Sequence, residues 1–151
     1  MHMRTRGCAP FFRRVCGWTL TELLMVMAIL GILAAVAVPV YQQQQRKVRR
    51  SDARSALLQI QFDQARYRGS HDSFAAEMAD LGWASDQSPQ GHYRLRMAEV
   101  GTEAYVVEAI PVGPQSSDSG CNPIRLAWRD AATVVYSSGA NPESDSASCW
   151  R

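Results

Sequence analysis

The chain has 151 residues, 46% hydrophobic and 20% charged, an ordinary globular composition for about one domain. Its net charge of +2 hides a split: Arg4, Arg6, Arg13 and Arg14 make the start basic without an acid, whereas from Trp18 onward 12 Lys/Arg face 14 Asp/Glu. A body so close to neutral gives no general electrostatic push toward nucleic acid.

After the basic start, Leu23 to Val40 is an 18-residue run without an ionisable side chain, and Glu22 stands at its edge. As a helix the run rises roughly 27 Å, close to the ~30 Å hydrocarbon core of a bilayer. A cleaved secretory signal fits the basic start, the apolar core and the Ala-x-Ala at Ala35 to Ala37. The run is longer than the usual core of such signals, however, and a carboxylate at its start is unusual for them. A simple transmembrane anchor is the second reading. The positive-charge rule does not orient it, because Arg46, Lys47, Arg49, Arg50 and Arg54 balance the leader arginines.

A third reading accounts for Gly17 and Glu22 together. The string "GWTLTELLMVMAILGILAAVAVPVY" resembles the start of the type IV prepilin family: a basic leader ending in Gly, an apolar or aromatic first mature residue, Glu at the fifth mature position, then a long apolar helix. With Trp18 as first residue, Glu22 is the fifth, and Gly31 and Pro39 fall where the family places a helix-loosening Gly and Pro. Trp18 departs from the commoner Phe. The resemblance implies cleavage between Gly17 and Trp18 by a membrane peptidase that also methylates the new amino terminus of Trp18. It implies a register role for Glu22, paired with the positive amino terminus of a neighbouring subunit. A charge in the span costs roughly 2.5–3.5 kcal/mol on insertion scales, so such a partner would offset a real penalty. The plainer alternative places Glu22 at headgroup level as an acid favoured at a helix start. Ala28, Gly31 and Ala35 form a small-residue stripe suited to close helix packing. Pro39 removes the hydrogen bond its amide would give to Ala35.

Beyond Tyr41 the chain is polar but keeps helical spacing. Ala53, Ala56, Leu57, Ile60, Gln64 and Tyr67 share a face, with Arg66 and Arg68 in the last turn and Gly69 as a left-handed stop. A helix from about Trp18 to Arg68 would run about 75 Å, so its first half must enter a membrane or filament and its second half needs a cover. A short helical turn around Ala75 to Ala79, capped by Asp72 or Ser73 and closing at Gly82, comes next. Four strands follow: around Tyr93, Leu95 and Met97; "EAYVVEAIPV"; around Ile124, Leu126 and Trp128; and "ATVVYSS" after a short "RDA" turn. The linkers "PVGPQSSDSG" and "SSGANPESDSAS" read as solvated turns. The expected fold is α+β, a long N-terminal helix packed on a four-stranded antiparallel sheet. The expected domains are a cleaved leader 1–17, a transmembrane and assembly helix 18–41, and a periplasmic head 42–151.

Cys8 and Cys16 fall in the leader and read as inert. Cys121 and Cys149 fall in the head that the resemblance implies is exported, and a loop-closing disulfide between them matches the family's usual bonded C-terminal segment. The cysteines and the three histidines lack metal-ligand spacing, so neither metal nor cofactor is expected. No phosphate loop, nucleophile elbow or catalytic triad pattern is present, and Glu77 with Asp80 reads as a solvated helix face, so an enzyme is not expected. The cluster "RKVRRSDAR" reads as a solvated helix segment facing acids of neighbouring subunits, ahead of a nucleic-acid or lipid-headgroup patch. The short strings "CW" and "LGW" resemble minor type IVa pilins of the PilE-like kind. The resemblance implies a pilus subunit in the inner membrane and then in an extracellular filament, serving adhesion or twitching motility. Its partners would be other pilins, the prepilin peptidase and methyltransferase, and the assembly platform with its ATPase. A type II secretion pseudopilin shares the same N-terminal signature. A DNA-uptake pilin would need Arg94, Arg96, Arg125 and Arg129 to form an exposed basic stripe.

Overall fold

The computed structural model describes residues 18–129, 133–141 and 147–150. The leader with Gly17, Cys8 and Cys16, most of the "RDA" turn and most of the "NPESDSAS" loop lie outside them. The chain divides into two compact units, Met1–Pro39 and Val40–Arg151.

The helix α1 is Leu20–Arg68, 49 residues. In the first unit it starts at Thr19, whose Oγ1 accepts the Glu22 amide at 3.2 Å. The Thr-x-x-Glu spacing is that of a capping box, with Glu22 at the third helical position, where an acid complements the positive end of the peptide dipoles. The helix runs without interruption through Gly31 and Pro39. None of its most apolar 18-residue window is buried.

In the second unit α1 turns a stripe of Ala53, Ala56, Leu57 and Ile60 into the core. Against it packs an antiparallel meander of β1 (Tyr93–Val100), β2 (Tyr105–Pro111), β3 (Ile124–Arg129) and β4 (Thr133–Ser138), in the order β1-β2-β3-β4. Alternation sends Tyr93 and Leu95, Tyr105 and Val107, Ile124 and Leu126 inward, as the period-2 pattern predicts. A bulge between Met97 and Glu99 shifts the β1–β2 register. The α+β expectation stands as drawn.

Three local expectations need correction. Gly69 ends α1 but is not left-handed. Its amide is shared between the carbonyls of Ala65 (3.3 Å) and Arg66 (3.2 Å), so the last turn tightens instead of reversing. The turn after it is shorter than the pattern suggests, a 3-10 turn at Ala79–Leu81 with no side-chain cap, closing at Gly82 with φ of 85°. Gln64 explains the shortening: its amide donates to the Ala75 carbonyl and accepts the Ala75 amide, both at 2.9 Å. Those backbone groups are therefore withdrawn from helix formation. The linker after β2 is not wholly solvated. It forms 3-10 turns at Gly113–Ser117 and Ser119–Cys121 and buries Gln115 and Asp118.

Candidate assembly and interaction surfaces

In the first unit the candidate surface is the outer face of α1. Leu20, Met25, Ile32 and Val36 are each more than half exposed. Beyond the helix's own backbone, nothing lies within 4 Å of where a Cβ on Gly31 would stand. Trp18 and Glu22 are also exposed. A helix that is apolar all round and covered by none of the described residues calls for a non-aqueous neighbour, either lipid or other helices.

In the second unit the cluster at residues 46–54 is not a uniform solvated face. Arg50 grips both oxygens of Asp118, Nε to Oδ2 at 2.7 Å and Nη2 to Oδ1 at 2.8 Å. The hydrogen bonds it donates to Asp118 are the main reason the Arg50 guanidinium is held even more firmly protonated than usual. The same arginine donates to the Ser148 carbonyl at 3.0 Å, and Arg54 donates to the Trp150 carbonyl at 2.8 Å. Both reach the short helix α2, Ala147–Trp150, whose last carbonyls lack intrahelical partners. Cys121 and Cys149 form the expected disulfide, with Cα atoms 5.8 Å apart, and Trp150 packs on Tyr136 with ring centroids at 4.4 Å. The C-terminal segment is thus tied down by a covalent bond, two arginines and an aromatic contact.

Behind it, Gln115 bridges three groups, donating to the Tyr93 hydroxyl (3.0 Å), Asp118 (3.1 Å) and the Arg46 carbonyl (3.2 Å). Burial is the main cause that pushes the Tyr93 phenol up to about 12. Asp52, 1% exposed, accepts from the Ser88 hydroxyl (2.6 Å) and from the amides of Gln90 and His92, and so fixes the approach to β1. Asp63 accepts from the Trp83 indole at 3.1 Å. These polar anchors escaped the sequence reading. The Thr19 cap could have been found from its spacing, and Gln64 was visible as the one polar interruption of an apolar stripe.

The four strand arginines lie on the outer sheet face but do not form a free stripe. Arg96, Glu108 and Arg125 stand side by side across β1, β2 and β3. Glu108 pairs with both cations, Arg125 Nε at 2.6 Å. Burial works to raise the Glu108 carboxyl, but hydrogen bonds and charge from the two arginines outweigh it and hold it below its usual range. Arg94 pairs with Asp86 at 3.3 Å. Arg129 is exposed and makes no ion pair among the described residues. At that end of the sheet Trp128 stacks near Tyr105, whose ring meets the edge of Phe74 at 4.8 Å. Among the described residues no group of His, Cys, Asp and Glu is placed to hold a metal ion.

Residues 12–38 match the prokaryotic N-terminal methylation motif, a range that includes Gly17, Trp18 and Glu22. The chain is 30% identical to the type IV major pilin protein PilA of Myxococcus xanthus over 64% of its length and 44% of that protein's. It is 37% identical to the type IV major pilin protein PilE of Neisseria gonorrhoeae over 62% of its length and 54% of that protein's. A fimbrial protein of Neisseria meningitidis is 35% identical over 51% of the chain and 45% of its own length. The chain therefore spans about half the length of the relatives it matches. Residues 39–125, more than half of the chain, match the family described as type IV minor pilin ComP, DNA uptake sequence receptor. With an exposed apolar helix leading into a helix-on-sheet head, the chain belongs to this family of type IV minor pilins.

Proposed function

We infer that the chain is a non-catalytic minor subunit of a type IV pilus. It is cleaved between Gly17 and Trp18, N-methylated at Trp18, held in the inner membrane by residues 18–41, and drawn into an extracellular filament with residues 42–151 as its head. The observation that carries this reading is the uncovered apolar window of α1. In a filament, the same face that meets lipid in the membrane meets the apolar helices of neighbouring subunits. Glu22 then finds its partner in the amino terminus of the adjacent subunit, and Gly31 and Pro39 let the helix lengthen locally. The prepilin peptidase and methyltransferase, the assembly platform and its ATPase are the machinery this route requires.

Intact-mass analysis of the exported protein tests the route. A terminus at Trp18 carrying one methyl group supports it, and a terminus just after Ala37 overturns it in favour of a secretory signal. Glu22→Ala, tested by incorporation into sheared filaments, separates register from decoration: normal incorporation would remove Glu22 from the assembly role.

DNA capture is the second reading, favoured by the family's description as a DNA uptake sequence receptor. The pairing of Arg94, Arg96 and Arg125 with carboxylates weighs against a broad phosphate-binding stripe and leaves Arg129 as the strand arginine without an ion pair among the described residues. Duplex binding by the full chain in detergent, measured across salt concentration, decides it. A shallow slope with micromolar or weaker affinity is expected for the structural role, and tight binding lost in Arg129→Gln favours capture.

A further inference from the structure

The apolar run ends at Val40, and the next turns of α1 place Tyr41, Gln42, Gln45, Arg46 and Arg49 on one stripe. Facing them from the 3-10 turn at Gly113–Ser117 are Pro114 and Ser117, and the seven residues line a cleft of about 360 Å³. Arg46 and Arg49 are half-buried, no acid lines the cleft, and neither arginine forms an ion pair among the described residues. The carboxylate next along the chain from Ser117 is Asp118, already engaged by Arg50 on both oxygens and by Gln115. Two partly desolvated guanidiniums without a counter-charge are costly, and an anion supplied from outside would offset that cost.

The geometry points to this cleft as a binding site for the phosphate of an anionic phospholipid headgroup, a role that rests on the membrane-anchored reading above. Arg46 and Arg49 come six and nine residues after Val40, about 9 and 14 Å of helix rise. The headgroup layer beyond the hydrocarbon core is about 5–8 Å deep on each side. Side chains on a helix lean toward its N-terminus, so both arginines reach back toward the end of the apolar run and close that gap. A guanidinium on so long an aliphatic stem can reach headgroup depth while the stem stays on apolar surface. Tyr41, at the boundary itself, is the amphipathic aromatic favoured there. Gln45 donates to the Tyr41 hydroxyl at 2.8 Å, which holds the rim of the cleft in place. Arg50 and Arg54, spent on Asp118 and the C-terminal carbonyls, take no part. The cluster thus divides between anchoring the head and reading the lipid surface.

The test uses the full chain in bilayers of neutral phosphatidylcholine, doped with a photoactivatable phosphatidylglycerol or, separately, with its phosphatidylcholine counterpart. Cross-links are mapped by mass spectrometry. The expected result is preferential labelling of residues 41–49 by the anionic probe. Labelling should fall about fivefold for each arginine removed, so by more than tenfold in Arg46→Gln/Arg49→Gln. It should be largely kept in Arg46→Lys/Arg49→Lys and unchanged in Arg66→Gln. Equal labelling by both probes, or labelling that survives the double Gln variant, overturns the site. Loss of labelling to millimolar soluble glycerol phosphate makes it a free-phosphate site, and a cross-link to a second copy in place of lipid makes it a subunit contact; either result overturns the lipid assignment. Carbonate extraction separates the site from the reading beneath it. A chain stripped from the bilayer overturns both, whereas a retained chain without anionic preference overturns the site alone.

Discussion

Between Leu23 and Val40, α1 carries no ionisable side chain and buries nothing; between Asp52 and Gln64 it buries two carboxylates and an amide beside Ala53, Ala56, Leu57 and Ile60. Apolarity therefore does not locate the core of this chain. The most apolar segment is left exposed, as suits a helix whose proposed neighbours are lipid and other subunits. The inward segment needs polar side chains because the loops it must hold, at Ala75 and at Ser88 to His92, expose backbone groups that only hydrogen bonds can satisfy. Substitutions in the inward half and its partners should thus act on folding of the head, and those in the outward half on assembly.

The largest effect is expected at Arg50. Replacing it with Met strands the nearly buried Asp118 carboxylate and frees the Ser148 carbonyl, which should cost the head about 3–5 kcal/mol. Adding Asp118→Leu should recover much of that loss, because the orphaned charge leaves with it. Leu30→Ala, in the outward half, should change head stability by no more than about 0.5 kcal/mol. Denaturant unfolding followed by tryptophan fluorescence measures all three, and a comparable loss from Leu30→Ala would break the division between the halves.

Cys121→Ser comes next. The bond spans 28 positions and should contribute about 3–4 kcal/mol on the chain-entropy estimate. The arginine contacts sharpen the expected outcome. Arg50 and Arg54 still hold the carbonyls of Ser148 and Trp150, so the native state should keep Trp150 on Tyr136 while the midpoint of unfolding falls. A Trp150 emission shift to the solvated value in the variant under native conditions would show that the disulfide alone holds α2.

Gln64→Leu should cost about 2 kcal/mol, since it leaves the buried amide and carbonyl of Ala75 without partners while adding apolar volume. Hydrogen exchange at the Ala75 amide should accelerate more than exchange at the strands. Retained protection there would mean that the Phe74–Ala75 segment is held by burial alone.

The helix, the strands and the disulfide were legible because each rests on a local pattern: an unbroken apolar run, period-2 alternation, and two cysteines flanking the last strands. The polar anchors were not, because Asp52, Asp63, Gln64 and Gln115 look like surface residues until the sheet is laid on the helix. Asp118 is the clearest case. It lies in a stretch of Ser, Gly and Pro that reads as solvent-exposed, and only its meeting with Arg50, 68 positions away, makes it structural. The strand arginines show the opposite failure. Their alternation placed them on the outer face, but nothing local revealed that Glu108 would take two of them.

That outer-face pairing gives the smallest effect, and one that depends on pH. Glu108 is held by Arg96 and Arg125 below the usual carboxylate range, so its folded value lies below its unfolded one of about 4.3. A depressed carboxyl contributes stability that is fully present above the unfolded value and disappears as pH falls through the folded one. Glu108→Gln keeps the shape but not the charge, and should cost about 1 kcal/mol near neutral pH, mostly through the half-buried Arg125. Other carboxylates titrate over the same acid range, so the stability of the wild type alone is uninformative. The difference between wild type and variant isolates Glu108: it should stay level from pH 7 to about 5, then shrink toward zero as pH drops below about 4. A difference that persists undiminished to the acid limit would place the role of Glu108 in packing rather than charge.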